Sequence, residues 1–183
     1  GMDEAGRGPL FGNVVAACVI MPSQPLYEWI DDSKKLSAKR REELYECICA
    51  SALYVGVGEA TPEEIDGMNI LNATRLAMER AAENAPATLC IVDAVRELYL
   101  PFPTHAVIKG DATSYNVAAA SIVAKVTRDR QMLRYAKHYP QYGLDRNMGY
   151  GTAEHIAALR AFGPTPKHRK TFIGHFVEEE ANG

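Results

Sequence analysis

Cysteine is scarce in this sequence and never arranged for metal binding. Cys18, Cys47, Cys49 and Cys90 are the only four in 183 residues, none belongs to a CxxC pair, and Cys47-Ile48-Cys49 is too sparse for a zinc site. A disulfide framework and a thiolate zinc centre are therefore excluded. The pattern suits buried thiols in a reducing, cytoplasmic setting. Long hydrophobic runs are also missing. Val14 to Met21 is the most apolar N-terminal stretch, too short to span a bilayer and preceded by charged residues, so neither a membrane span nor a secretion signal is expected. Excess positive charge is absent too. The formal net charge is -3, which rules out a uniformly basic coat for nucleic acid. No internal repeat and no low-complexity segment is visible.

The distribution of charge says more than its sum. Lys109, Lys125, Arg128, Arg130, Arg134 and Lys137 form a basic stretch against only Asp111 and Asp129, and Lys167-His168-Arg169-Lys170 forms a second, while Glu178-Glu179-Glu180 offsets part of both. Periodicity predicts alternating strands and helices. Strands are expected over Asn13 to Met21, Ala52 to Glu59, Thr88 to Asp93 and Thr104 to Ile108. Helices are expected from the Ser37 cap to about Ala50, after Thr61-Pro62, over Asn69 to Asn84, from Ser114 to about His138, and over Thr152 to Phe162. This alternation predicts one layered α/β domain over residues 1–183, a central mixed sheet flanked by helices, with a C-terminal helical and basic segment from about residue 152.

The acidic residues fall at strand ends. Asp3 and Glu4 precede the glycine-rich Gly6 to Gly12. Neighbours on a strand point to opposite faces, so both can serve one centre only if the strand ends there and the chain turns; otherwise they are a solvated pair. Asp93 closes an apolar strand, where it is either a site residue or a turn former. Asp111, after Lys109-Gly110, is either a ligand or a helix cap. Asp129 lies eighteen residues further along a helix, on the order of 27 Å away. It sits four residues from Lys125, which assigns it to an ion pair. Asp3, Glu4, Asp93 and Asp111 remain, with no histidine cluster. That all-oxygen set suits Mg²⁺ or Mn²⁺, and two such ions can drive phosphodiester hydrolysis.

The same residues carry a family resemblance. Asp3-Glu4-Ala5-Gly6-Arg7-Gly8-Pro9-Leu10, Asp32-Ser33-Lys34-Lys35-Leu36-Ser37, Ile91-Val92-Asp93, Lys109-Gly110-Asp111, the run Ala118 to Asp129, Gly149-Tyr150-Gly151-Thr152, and His168-Arg169 with Phe172 resemble, in order, the motifs of the bacterial ribonuclease HII group of type 2 ribonucleases H. The resemblance runs from Gly1 to about Phe176. It implies the ribonuclease H-like fold. It also implies cleavage of the RNA strand in RNA–DNA hybrids and nicking 5′ of a single ribonucleotide in duplex DNA, leaving 3′-hydroxyl and 5′-phosphate ends. By this resemblance Asp3, Glu4, Asp93 and Asp111 are the metal-binding catalytic carboxylates. Gly6-Arg7-Gly8 reads the ribose 2′-hydroxyl through its backbone, and Tyr150 stacks at the ribonucleotide. Lys34, Lys35, Lys125 and Arg169 are expected phosphate contacts, and the protein is expected to act as a monomer.

Two departures stand out. Ala94 follows Asp93 where the family has glycine. The amino end is also clipped short: either Gly1 is an addition or further residues precede it, and without a first strand Asp3 and Glu4 would be poorly held. Two rival readings differ in kind. A type 3 ribonuclease H would carry a different 2′-hydroxyl-reading sequence in place of Gly6-Arg7-Gly8. A catalytically silent nucleic-acid binding module would not need all four carboxylates.

Overall fold

The computed structural model describes residues 1–23, 36–93, 95–108, 110 and 114–177. Five strands form one sheet: β1 (Met2–Ala5), β2 (Val14–Ile20), β3 (Tyr54–Ala60), β4 (Cys90–Asp93) and β5 (Thr104–Val107), in the order β3-β2-β1-β4-β5. β1, β2 and β3 pair antiparallel, whereas β4 joins β1 and β5 in parallel, so the sheet is mixed as expected. The helices are α1 (Ala38–Ser51), α2 (Pro62–Met68), α3 (Ile70–Ala82), α4 (Tyr115–His138), α5 (Leu144–Asn147), α6 (Ala153–Phe162) and α7 (Lys170–Val177).

The first strand is formed and holds Asp3 and Glu4 in the sheet. All four of its residues pair with β2, and the pairing reaches back to Gly1, whose nitrogen donates to the Val19 carbonyl at 2.8 Å and whose carbonyl accepts from the Val19 amide at 2.9 Å. β2 is buried on both faces and sorts its side chains with period two. Val14, Ala16 and Cys18 pack with Met2 against Ala73, Ala77, Met78 and Ala81 of α3. Ala17 and Val19 pack against Leu44 and Ile48 of α1 and Ala119 to Ala124 of α4. The sheet is thus the middle of three layers. The small and apolar first half of α4 is buried throughout, from Val117 to Ala124. A third cluster, built on Phe11, Met132, Tyr142, Leu144 and Leu159, ties the C-terminal helices to the loop between β1 and β2.

Local sequence sets most helix starts. Ser37 caps α1 by accepting from the Arg40 amide at 3.2 Å. Thr61 and Glu64 form a reciprocal capping box on α2, with Pro62 at its start. α7 starts differently: Asp66, more than a hundred residues earlier, accepts from the Lys170 and Thr171 amides at 2.8 and 2.9 Å. Of the cysteines, Cys18 and Cys90 are buried, but Cys49 is exposed on α1, so not every thiol is internal as the composition suggested. Among the described residues no helix is long and apolar enough to cross a membrane.

Glycine on β3 permits the close approach of α3. A β-carbon on Gly58 would lie 2.1 Å from the Ala77 carbonyl oxygen, and one on Gly56 would lie 2.0 Å from that of Ala81. Backbone cannot yield as a flexible side chain can, so Gly58→Ala is expected to push α3 off the sheet. The cost should be about 1–3 kcal/mol, read as a lowered denaturant midpoint; an unchanged midpoint would show that the layer spacing is softer than this packing requires.

Candidate active site

The site lies where two parallel strands part. β1 and β4 share a single register pair, Met2 with Val92, and beyond it they diverge. Asp3 and Glu4 follow Met2 on one side of the gap, and Asp93 follows Val92 on the other. All three line a cavity of about 270 Å³ at the carboxyl ends of these strands. This is the crevice position in which open α/β sheets bind ligands.

The expectation that the strand must end at Glu4 is corrected by the geometry. β1 continues through Ala5, and the turn begins at Gly6 with φ 96°. Asp3 and Glu4 reach the same cavity because no neighbouring strand fills the gap beside them. Asp3 is 6% exposed, and its Oδ1 accepts from the Glu4 amide at 2.8 Å. Ser121 of α4 also hydrogen-bonds it. Glu4 Oε1 accepts from Arg7 Nη1 at 3.3 Å, while Oε2 is buried with no partner among the described residues. Asp93 Oδ1 accepts from the Gly110 amide at 2.9 Å. Asp111, Lys34 and Lys35 lie outside the described residues.

Burial and mutual repulsion act on these acids. Burial first, then the charge of Glu4, pushes Asp3 from 3.8 up to about 8, against its hydrogen bonds from Glu4 and Ser121. Glu4 is also raised, chiefly by burial, although Arg7 opposes the shift. An unpartnered buried carboxylate oxygen beside acids that resist ionisation is a setting a divalent cation would relieve. The donors are hard oxygens, which fits Mg²⁺ or Mn²⁺. Among the described residues no three acidic, histidine or cysteine side chains stand close enough to enclose an ion by themselves. The Arg7 ion pair and the Gly110 amide engage Glu4 and Asp93 instead.

The remaining wall consists of Gly6, Arg7, Gly8, Ser121, Lys125 and Tyr150. Tyr150 sits in the loop between α5 and α6, 46% exposed, where its glycine neighbours predicted a loop. A β-carbon on Gly8 would lie 3.5 Å from the Tyr150 ring, so the glycine loop and the tyrosine adjoin. Lys125 reaches the cavity while paired with Asp129 at 2.7 Å, the ion pair expected from their spacing.

Arg169 is not a surface phosphate contact. It is 0% exposed, and its guanidinium donates to the carbonyls of Gly12, Arg7 and Gly6 at 2.9, 3.0 and 2.6 Å. Its neighbour His168 is buried as well, so the middle of the second basic stretch is internal, while Lys167 is half-buried and Lys170 exposed. In the first stretch Arg128 is buried, and Arg130 pairs with Glu42 and Glu46 at 2.5 and 2.7 Å. Two participants were missed from sequence. Ser121 is a lone hydroxyl in an apolar helical run. With Lys125 and Arg128 it follows i, i+4, i+7 spacing, which puts all three on one helix face. His155 and His168 also meet, Nε2 to Nε2, at 3.1 Å. The Thr165 amide donates to His168 Nδ1 at 2.9 Å, so His168 donates through Nε2, and His155 Nδ1 donates on to the Tyr150 carbonyl at 2.9 Å.

A mixed sheet between helix layers, with a carboxylate cleft at the parting of its strands, defines a ribonuclease H-like metal-dependent nuclease. The chain belongs to the ribonuclease HII family, whose model matches residues 1–177. It is 49% identical over 182 residues to the ribonuclease HII of Alkaliphilus oremlandii, with 96% of this chain and 90% of that one covered. It is 51% identical over 178 residues to that of Polynucleobacter asymbioticus, with 94% and 91% covered. The ribonuclease H2 of Pyrococcus horikoshii superposes with a TM-score of 0.82 at 27% identity, covering 100% of this chain and 98% of that one. The chain is accordingly a metal-dependent endoribonuclease acting on RNA–DNA hybrids and ribonucleotide-containing DNA. The type 3 reading gives way to this family match.

The raised Asp3 has a sign that can be tested. Without metal, the folded state holds a proton on Asp3 that the unfolded state releases above 3.8, so this stability is present at low pH and lost as pH rises towards about 8. His168, lowered by burial from 6.5 to about 4, works oppositely, adding stability as pH rises through that lower window. The Asp3 effect should therefore be clearest above 6.5. Metal-free Asp3→Asn should be more stable than the native protein by a margin that widens towards pH 8, and inactive with Mg²⁺. Denaturant midpoints across pH check this; a margin independent of pH would mean that Asp3 ionises normally.

Proposed function

We propose that this chain nicks duplex DNA on the 5′ side of an embedded ribonucleotide and cuts the RNA strand of hybrids, leaving 3′-hydroxyl and 5′-phosphate ends. The observation that carries this reading is one cavity shared by Asp3, Glu4 and Asp93 with Gly6, Arg7, Gly8 and Tyr150. Acids suited to phosphodiester hydrolysis thus stand within one substrate's reach of a loop suited to reading a sugar. Asp3, Glu4, Asp93 and Asp111 would hold two Mg²⁺ or Mn²⁺ ions. When bound, these ions supply the positive charge that activates water and stabilises the leaving oxygen.

The chain's own residues do the rest. Arg7 opposes the upward shift that burial imposes on Glu4. Ser121 holds Asp3 on the α4 side of the cleft. Main-chain amides of Gly6, Arg7 and Gly8 have no acceptor among the described residues, and they offer donors to a 2′-hydroxyl, the group that separates RNA from DNA. Lys34, Lys35 and Lys125 would contact backbone phosphates, which position a duplex without reading its bases. Tyr150 presents an exposed ring for stacking at the ribonucleotide. The thiols suit a reducing, cytoplasmic setting, and the chain is read as a monomer.

The test is a duplex DNA with one ribonucleotide, incubated with Mg²⁺ and with Mn²⁺, with product ends mapped against an all-DNA control. A single cut 5′ of the ribonucleotide is expected, with the control intact; hybrid binding without any cleavage would overturn the reading in favour of a binding module. Asp111→Asn should abolish turnover while leaving duplex binding largely intact, and near-normal cleavage would remove Asp111 from the metal set. Tyr150→Ala should lose about 1–3 kcal/mol of transition-state stabilisation in kcat/KM. Tyr150→Phe keeps the flat ring and should lose about 1 kcal/mol or less. Equal losses in the two variants would assign the contact to the hydroxyl rather than to stacking.

A further inference from the structure

The loop from Gly6 to Asn13 has almost no regular structure, yet it carries the backbone proposed to read the substrate sugar. Two buried guanidinium groups hold it from behind. Arg169 donates to the carbonyls of Gly6, Arg7 and Gly12. Arg128 donates through Nη2 to Phe11 at 3.0 Å, through Nε to Asn13 at 3.3 Å, and through Nη1 to Met148 at 2.9 Å. Arg128 and Arg169 are 1% and 0% exposed, and among the described residues neither has a carboxylate partner within ion-pair distance. Burying two like charges without counter-ions is costly. Here carbonyl dipoles offset much of it, with help at longer range from Asp129 for Arg128 and from Asp66 for Arg169, and a guanidinium meets those carbonyls with fixed, divergent donors that an ammonium lacks.

The surrounding chain is shaped to this arrangement. Gly6 has φ 96°, and a β-carbon there would lie 2.1 Å from Arg128 Nε. Gly149 has φ 82°, and a β-carbon there would lie 3.3 Å from Arg128 Nη2. The Gly12 amide donates to the Lys167 carbonyl at 2.8 Å, the Arg169 amide to Leu10 at 2.9 Å, and the Leu10 amide to Gly149 at 2.8 Å. The glycine loop, the Tyr150 loop and the Lys167–Arg169 segment are therefore one hydrogen-bonded unit. Arg169 engages the carbonyls of Gly6 and Arg7, while no described residue accepts from the amides of Gly6, Arg7 and Gly8.

We infer that Arg169 and Arg128 are positioning residues for ribonucleotide recognition, fixing the Gly6–Gly8 amides and the Tyr150 loop in the register that the sugar requires. This rests on the reading that Gly6-Arg7-Gly8 meets the ribose 2′-hydroxyl. Arg169→Lys keeps the charge but cannot reach three divergent carbonyls.

The experiment compares Arg169→Lys with the native enzyme, well below the unfolding midpoint of either. The readouts are kcat and KM on the single-ribonucleotide duplex, Mn²⁺ affinity by calorimetry, and the amide resonances of Gly6, Arg7 and Gly8. With two or more charged hydrogen bonds lost, kcat should fall about 10- to 100-fold. KM and Mn²⁺ affinity should change little, and the three amide resonances should shift or broaden. A folded Arg169→Lys with native kcat and unmoved resonances would overturn the inference, as would a loss of activity explained by lost Mn²⁺ affinity. Should Arg169→Lys not fold, Arg128→Lys is read in the same way, with Gly149 and Tyr150 as the reporting amides. Failure of the native enzyme to cut at the ribonucleotide would instead strike the proposed function, and the resonances would still decide whether the clamp holds the loop.

Discussion

Everything at the site depends on how briefly β1 and β4 touch. Had their parallel ladder continued past Met2 and Val92, it would have closed the gap that Asp3, Glu4 and Asp93 now share. The other edge of β1 is bound along its whole length to β2, which keeps the strand rigid while one side stays open. The cleft is thus bounded by a fully paired edge and an unpaired one. This is how two adjacent strand residues serve one cavity although the pleat aims them at opposite faces.

The same gap creates an electrostatic problem that the fold meets only halfway. Arg7 serves Glu4, Ser121 serves Asp3, and the Gly110 amide serves Asp93, yet the buried Glu4 Oε2 has no partner among the described residues and burial pushes the Asp3 carboxyl up to about 8. Full protein counter-charges would have stabilised the metal-free cleft. They would also have competed with any ion for the same oxygens. In the proposed function stability has been given up here for a site that a dication would complete, the trade expected where acids are grouped for catalysis.

The sequence announces those parts of the molecule that are decided by nearby residues. The Ser37 cap, the Thr61–Glu64 capping box and the apolar run of α4 are local, and they appear where propensity and periodicity put them. The acids at strand ends and Tyr150 between two glycines are also readable, because turn chemistry is local. What could not be read is set by distant contacts. α7 is capped by Asp66, a partner no window on the C-terminal segment contains. Arg169 sits in a run of basic residues that looks solvated, and only the fold reveals that Gly6, Arg7 and Gly12 close over it. Arg128 misleads in the same way, since its helix-face neighbours Ser121 and Lys125 suggest a place at the cleft but not a place behind the loop.

Charge counting therefore misjudges how this chain would hold a nucleic acid. Of the described cations in the long basic stretch, Arg128 is internal, Arg130 is committed to two glutamates and Lys125 reaches the cleft already paired with Asp129, which leaves Arg134 and Lys137 as its exposed cations. A protein that binds mainly through free surface cations gains its affinity from released counter-ions and reads little of its target. Here the buried cations shape backbone instead. They turn carbonyls of a glycine loop inward, and in the proposed function the amides of that loop would meet the substrate. Recognition built this way draws on main-chain geometry at one sugar rather than on the sum of surface charge, which is compatible with a net charge of -3. The His155–His168 pair extends the same logic. Burial lowers both imidazoles, keeping them neutral, and a directional chain of hydrogen bonds from Thr165 ends on the carbonyl of Tyr150. The C-terminal segment thus holds the backbone of both the glycine loop and the Tyr150 loop through buried hydrogen bonds.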